Sequence, residues 1–442
     1  MWCRKGFMLL LSAVCLTAIA KEQRADNTKG FYKDLFVDGG IGLTTKDYLP
    51  AAHYLRLKWE SYLCGPLKSS DKFTYTADDT LMQRQMIGGS SIDENGILLY
   101  PDGQPRFRMI FMNGGKAGRH GKALGDDARN RIREFVRNGG SYVGDCAGMY
   151  LACRAWKGDN GISYEDRYLG LWPGVASSTG ILTSQTTLQI EKKAALLKYS
   201  DFGGDMKVDS IYHNGGGYAR EDTLWPKGTK VLARYDIRGR EDLKKLKRDV
   251  TGLPAMWTYK ADKRTGRIVQ CGSHPEFVES GERLDLMRAM MQYAMSGTVG
   301  AELKGTLQSG TIRKMYCMTH DHNPAFTAIG DRQYHHFVVN VPKKAKKVVL
   351  TLKPMPGAKK ADLYLLAQPG DFAYLETSPY KNIGAGFDKR LVINNPKAGK
   401  LYVSVFCGTT VEATRTAHGT QYSGRLDVLN GVPYSILAQV EE

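Results

Sequence analysis

The stretch 141–156 restricts the fold of this chain more than any other. A short apolar run, Ser141 to Gly144, passes through Gly144-Asp145-Cys146-Ala147-Gly148 straight into a helical stretch over about Met149 to Trp156. G-x-C-x-G between a strand and a helix is the cysteine form of a nucleophile elbow, whose glycines permit a tight, strained turn. Such a turn lifts its side chain above the carboxyl ends of the strands. The following helix then aims its N-terminus at the sulfur, where negative charge is favoured. Cysteine is commonly buried for packing alone, but a core role explains neither glycine.

The surroundings supply the sheet that the elbow needs. Leu35-Phe36-Val37 predicts a strand ending in Asp38-Gly39-Gly40-Ile41-Gly42, with a helix over about 46–63 after it. Phe107 to Met112 predicts a second strand, which runs into Asn113-Gly114-Gly115-Lys116. Ala128, Ile132, Phe135 and Val136 recur at helical spacing, so a helix is expected over about Gly125 to Asn138, closed by Gly139-Gly140. Arg267 to Cys271 predicts a further strand, and Glu282 to Met295 a closing helix. Between them, 157–260 is glycine-rich and irregular, with strands expected near Thr187 to Glu191 and Lys230 to Tyr235. The alternation argues for an α/β domain with a mostly parallel, flavodoxin-like sheet flanked by helices on both faces.

A chain of 442 residues exceeds one ordinary core. Beyond about residue 298 helical periods give way to β-type runs separated by turn residues: His335 to Val341, Lys347 to Leu352, Ala361 to Ala367, Arg390 to Asn394, Leu401 to Phe406 and Tyr434 to Val440. That pattern predicts an all-β sandwich. The expected organisation is therefore a signal peptide at 1–20, a leader at 21–33, the α/β domain at 34–297, a linker or first part of the second domain at 298–329, and the β-sandwich at 330–442.

A cysteine nucleophile needs a base, and the base needs an orienting group. His274-Pro275-Glu276, at the carboxyl end of a separate strand, offers both. An oxyanion hole needs bare backbone N–H groups, which Gly114 and Gly115 after one strand and Ala147 after the nucleophile are placed to supply. His213 lies in the glycine-rich loop Tyr212 to Tyr218, where it either binds substrate or fills the loop. Asp38, at the end of the first strand, also points by topology toward the sheet's active edge.

These elements together resemble the class I glutamine amidotransferase-like superfamily, and within it proteins carrying the biotin-protein ligase N-terminal domain. The resemblance runs from about Asp34 to Gly297. It is most specific from Ile132 to Ala152, with support from Tyr168 to Gly174, Tyr212 to Tyr218 and Gly272 to Glu276. It implies Cys146 as nucleophile, His274 as base and Glu276 as its orienting group. Biotin chemistry does not follow, because neither a ligase catalytic domain nor a biotinyl-acceptor module is visible. The region from about Gly330 to Val440 resembles the bacterial pre-peptidase C-terminal β-sandwich, through Tyr334 to Val341, Ala361 to Leu365 and Gly399 to Val405. Such domains accompany secreted enzymes as accessory or adhesive modules.

The chain's context narrows the chemistry. Arg4 and Lys5 precede an apolar run from Gly6 to Ala20 that ends in Ala18-Ile19-Ala20, the pattern of a cleaved signal peptide. The run is too short to span a bilayer comfortably, and no later segment approaches its length. The mature protein is thus expected to be exported, periplasmic or extracellular, with no transmembrane segment after cleavage. Six cysteines follow the signal, with no CxxC pair and no zinc-like spacing, so no metal is expected; Cys317 and Cys407 are a candidate pair. The net charge of +17 is carried in short, scattered runs such as Lys343 to Lys347, without a nucleic-acid motif. A solvated surface is the favoured reading of it, and attraction to an anionic envelope polymer the sharper one. No P-loop is present for ammonia transfer to a synthetase, and no cofactor is implied. The expected function is an exported, cysteine-dependent hydrolase of an amide or peptide-like bond in a small molecule or peptide, working through a covalent acyl-enzyme. The alternative is a non-catalytic envelope or carbohydrate-binding protein that retains the fold. Proteolysis is a third reading.

Overall fold

The computed structural model describes residues 30–38, 49–62, 83–222, 224–243, 246, 248–317, 323–416 and 419–442. The expected signal peptide, leader residues 21–29, the 39–42 turn, residues 46–48 and 63 of the helix expected at 46–63, and Cys64 lie outside the described residues; within 49–62 that helix is confined to Pro50–Tyr54, and Trp59–Tyr62 is a strand.

The first part of the chain contains β1 (Lys33–Asp38), β2 (Trp59–Tyr62), β3 (Phe107–Met112), β4 (Ser141–Asp145), β5 (Cys153–Gly158), β6 (Gly161–Tyr164) and β7 (Trp172–Ser178). It continues with β8 (Ser184–Ile190), β9 (Lys207–His213), β10 (Gly217–Ala219), β11 (Lys230–Tyr235), β12 (Pro254–Tyr259) and β13 (Ile268–Cys271). Its helices are α1 (Pro50–Tyr54), α2 (Gln83–Gly88), α3 (Ala117–Arg137), α4 (Cys146–Ala152) and α5 (Gly281–Met295).

β2, β1, β3, β4 and β13 lie side by side in that order, all parallel. Alternation along these strands sorts their side chains between two faces. Leu35, Val37, Met109, Phe111 and Val143 pack with Leu286, Met287, Met290 and Met291 of α5. Phe36, Ile110, Met112 and Tyr142 pack with Leu124, Ala128, Ile132 and Phe135 of α3. Each such side chain fully withdrawn from water contributes about 1.5–3 kcal/mol. Gly125, with φ 71° and ψ 178°, breaks α3 into two segments. The helix expected from about Gly125 is the second of them.

A mostly parallel, flavodoxin-like sheet is not what the chain builds as a whole. From β13 outward through β12, β11, β8 and β9 every pairing is antiparallel, so the sheet is mixed. A second, four-stranded sheet, β10-β7-β5-β6, fills the region expected to be irregular. The helix expected through Trp156 ends at Ala152, and the chain becomes β5 at once.

The rest of the chain contains β14 (Leu303–Thr306), β15 (Arg313–Met315), β16 (Tyr334–Val341), β17 (Lys347–Pro354), β18 (Leu363–Pro369) and β19 (Tyr380–Asn382). β20 (Lys389–Asn394), β21 (Gly399–Cys407), β22 (Glu412–Thr416), β23 (Gly419–Ser423) and β24 (Tyr434–Glu441) complete it. A five-stranded sheet, β14-β16-β21-β18-β19, and a four-stranded sheet, β15-β24-β17-β20, form the expected sandwich. The segment 298–329 supplies β14 and β15 and so opens this second unit. The expected Cys317–Cys407 pair does not form: Cys407 is a buried free thiol that donates to the Thr409 carbonyl at 3.4 Å.

The sandwich is not suspended from a linker. Its β22–β23 hairpin joins the edge of β2 and extends the large sheet to eleven strands. The Ser61 amide donates to Thr420 Oγ1 at 3.1 Å, and the Tyr422 hydroxyl donates to Glu60. A buried ion pair, Arg106 Nη2 to Asp331 Oδ2 at 2.5 Å, ties the units, and the Arg106 guanidinium lies 4.2 Å from the Tyr32 ring centre. One apolar core runs unbroken from Phe36 and Ile110 to Phe337 and Val405.

Candidate active site

The elbow forms where β4 ends. Asp145 is still extended, and Cys146, the first residue of α4, has φ 41°. A non-glycine residue held there stores on the order of 1–3 kcal/mol, which persists only where the surroundings impose it. Here they do. A Cβ on Gly148 would sit 2.0 Å from the Met112 carbonyl oxygen, and one on Gly144 would sit 2.7 Å from the Gly148 carbonyl carbon. The Gly148 amide donates to the Asn113 carbonyl at 3.1 Å. The two glycines thus let the elbow close onto the end of β3.

His274 and Glu276 follow β13, whose Cys271 pairs with Asp145 in register. His274 Nδ1 donates to Glu276 Oε1 at 2.8 Å, which leaves the other ring nitrogen for Cys146. Burial alone would discharge this imidazole. The hydrogen bond to Cys146, together with the Glu276 and Asp145 carboxyls, outweighs it and pushes His274 up to about 11. His274 is therefore an imidazolium at neutral pH. Gly114 packs flat against the ring: a Cβ there would lie 2.3 Å from His274 Cε1. Tyr212 stands on another side, with ring centres 5.5 Å apart. Cys146 Sγ lies 3.7 Å from the Asn214 carbonyl oxygen, and Cys146 is 5% exposed.

Both ring nitrogens of His213 are engaged by neighbouring side chains. The residue is fully buried, Thr179 Oγ1 is 2.8 Å from Nε2 and Ser273 Oγ is 2.9 Å from Nδ1. Thr179 gives its own proton to the Gly216 carbonyl, so Nε2 carries the hydrogen and Nδ1 accepts from Ser273. Burial and the His274 charge push His213 down to about 4, so it stays neutral. It braces Ser273, the residue before the base. The loop around it presses equally close, since a Cβ on Gly216 would lie 1.7 Å from the Gly272 carbonyl oxygen.

Gly115 is exposed beside the buried Gly114, and Ala147 is buried after the nucleophile. Asp38 ends β1, outside the residues whose side chains are described.

Residues 90–304 match the family described as biotin-protein ligase, N terminal. The matched segment contains Cys146, His274 and Glu276, and it ends within β14. The chain is also similar to an uncharacterized protein of Chlamydia muridarum (strain MoPn / Nigg), 30% identical over 185 residues, 40% of this chain and 64% of that protein. The chain thus spans slightly under two thirds of that relative's length. Among solved structures, a glutamine amidotransferase aligns with TM-score 0.29 and 19% identity, over 43% of this chain and 80% of that one. The pre-peptidase C-terminal domain of a Bacillus anthracis collagenase aligns with TM-score 0.18 and 11% identity, over 32% of this chain and all of that one.

Asp145 is the member of this site that reading the sequence missed, although it stands inside the elbow motif. One ligating atom each from Asp145, His274 and Glu276 lies within 4.8 Å of the others. That spacing is compact enough for a cation, but His274 Nδ1 is already committed to Glu276. Within the cluster His274 is hydrogen-bonded to Glu276, while both Asp145 oxygens lack a donor.

Proposed function

We propose that this protein is an exported cysteine-dependent hydrolase that cleaves an amide or peptide-like bond through an acyl-enzyme. One observation carries the reading: a cysteine held at φ 41° on an elbow stands beside a histidine whose far nitrogen is fixed by a buried carboxyl group. A cation against the sulfur is the counter-ion that a thiolate nucleophile needs. The Cys146 thiolate attacks the substrate carbonyl carbon, and the electron pair of the C=O bond moves to oxygen. The backbone N–H groups of Ala147 and Gly115 receive that oxyanion. His274 then gives its proton to the leaving nitrogen as the C–N bond breaks. Water attacks the thioester and loses a proton to His274. The C–S bond breaks, and a carboxylic acid leaves. The apolar run from Gly6 to Ala20 supports export.

A ligand-binding protein that keeps the fold is the second reading, favoured by the 5% exposure of Cys146. Iodoacetamide separates the two. The hydrolase reading expects Cys146 to be alkylated selectively in the native protein near neutral pH. A thiol that reacts only after unfolding supports the binding protein instead.

A further inference from the structure

Asp145 is fully buried, and neither of its carboxylate oxygens meets a hydrogen-bond donor of ordinary geometry. Glu276 is 1% exposed; His274 holds its Oε1, and its Oε2 is equally without a donor. The two carboxyl groups and the His274 ring lie within 4.8 Å of one another by their ligating atoms. Three carboxylate oxygens shut away from water without a hydrogen atom between them are costly. Two ionised carboxylates so close in a dry site repel strongly, and one of them takes up a proton.

The structure indicates which one. The His274 N–H is spent on Glu276 Oε1, so Glu276 is the carboxyl that already has a donor in place. Asp145 has no such partner. It occupies the N-cap position of α4, where an aspartate ordinarily accepts from the helix backbone, yet its side chain makes no capping bond. The side chain is thus turned away from the helix end, toward the cluster. Glu276, His274 and Cys146 face it, with Cys271 beside it on β13.

We infer that Asp145 is a neutral carboxylic acid whose O–H donates to Glu276 Oε2, making it a positioning residue for the His274–Glu276 pair. Burial first, and then the Glu276 charge, hold its carboxyl well above the usual carboxylate range, in accord with this. The proton satisfies two of the three orphan oxygens in one bond. It also fixes the rotation of the Glu276 carboxylate, so that Oε1 stays on Nδ1 and the opposite ring nitrogen stays on Cys146. The site then carries one carboxylate against one imidazolium instead of two. The catalytic part of this inference rests on the proposed function; the carboxyl pair itself does not.

Two readouts on the full-length protein test it. In wild-type protein with 13C-labelled aspartate side chains, one aspartate carboxyl keeps the chemical shift of the protonated acid at neutral pH, and Asp145→Asn removes that signal. The second readout is the rate of Cys146 alkylation by iodoacetamide as a function of pH. Asp145→Ala lowers the neutral-pH rate on the order of 10- to 100-fold, as expected when a supporting group lets the base drift. Asp145→Asn, which still offers an N–H to Glu276, restores most of that loss. If every aspartate is ionised at neutral pH in the folded wild type, the inference fails whether or not either variant folds. It fails equally if Asp145→Asn and Asp145→Ala react alike, or if elemental analysis finds one tightly bound zinc that quenches the protonated-acid signal. A persistent acid signal beside an inert Cys146 supports the carboxyl pair and overturns the hydrolase reading.

Discussion

Gly114→Ala aims one methyl group at the base. The new Cβ would lie 2.3 Å from His274 Cε1, 3.1 Å from Nδ1 and 3.3 Å from Nε2. Carbon atoms rest about 3.5–4.0 Å apart, so the ring must retreat by more than about 1 Å. Its bond to Glu276 is 2.8 Å long and does not survive such a shift with useful geometry. Misplacing a catalytic group by about 1 Å costs roughly 100-fold in rate. Overpacking by one methyl costs only about 1–3 kcal/mol of stability, within the roughly 5–15 kcal/mol that holds a domain folded. The variant should therefore fold and melt cooperatively while Cys146 alkylation at neutral pH falls by about two orders of magnitude. Peptide mapping after timed iodoacetamide exposure, beside a thermal melt, measures both. A folded Gly114→Ala protein alkylated at the wild-type rate with the wild-type pH dependence would refute the placement of the ring.

Three further perturbations bear on the pH behaviour and on the joining of the two units. His274 titrates at about 11 in the fold and at 6.5 when unfolded, so its stabilisation is complete below pH 6.5 and is lost as pH rises through about 11. Urea titrations should show wild type losing more stability than His274→Gln over that window, and equal losses would contradict the ion pair. His213 is depressed to about 4 from 6.5, so it withdraws stability as pH falls from 6.5 toward 4. His213→Gln should flatten that acid limb, and an unchanged slope would mean that His213 is not buried neutral. Asp331→Asn strands the buried Arg106 guanidinium at a cost of about 3–5 kcal/mol. Because the units share a sheet and a core, it should lower the melting temperature of one joint transition; two separate transitions in calorimetry would contradict the shared core.

The parts of this molecule legible in its sequence are those whose signal is local. Gly144 and Gly148 announce the elbow because only residues without a side chain fit where they touch each other and Met112. The β-type runs expected from His335 to Val440 fall within about two residues of β16, β17, β18, β20, β21 and β24, whereas β19, β22 and β23 have no counterpart among them. Between β5 and β12 the expected strands correspond to β8 and β11 alone, and the others are hidden for two reasons. The strands of this region hold glycine and proline, as in Trp172-Pro173-Gly174, and their ladders are interrupted between Cys153 and Ala155, Thr186 and Leu188, and Val231 and Ala233. The identities of His213 and Asp145 were visible, but their directions were not. His213 turns toward a serine 60 residues away, and Asp145 toward a glutamate on another strand's loop. Likewise nothing local in β22–β23 indicates that the hairpin pairs with β2, more than 350 residues earlier.

In the proposed reaction Cys146 carries the acyl group. An activated ester, p-nitrophenyl acetate, tests it without knowledge of the natural substrate. Rapid mixing with native protein should release a burst of about one nitrophenolate per chain, with the acetyl group mapped to Cys146 as a thioester that water then clears. Cys146→Ala should show no burst. Nitrophenolate release by Cys146→Ala equal to wild type, or acetyl groups found only on lysines, would contradict the assignment.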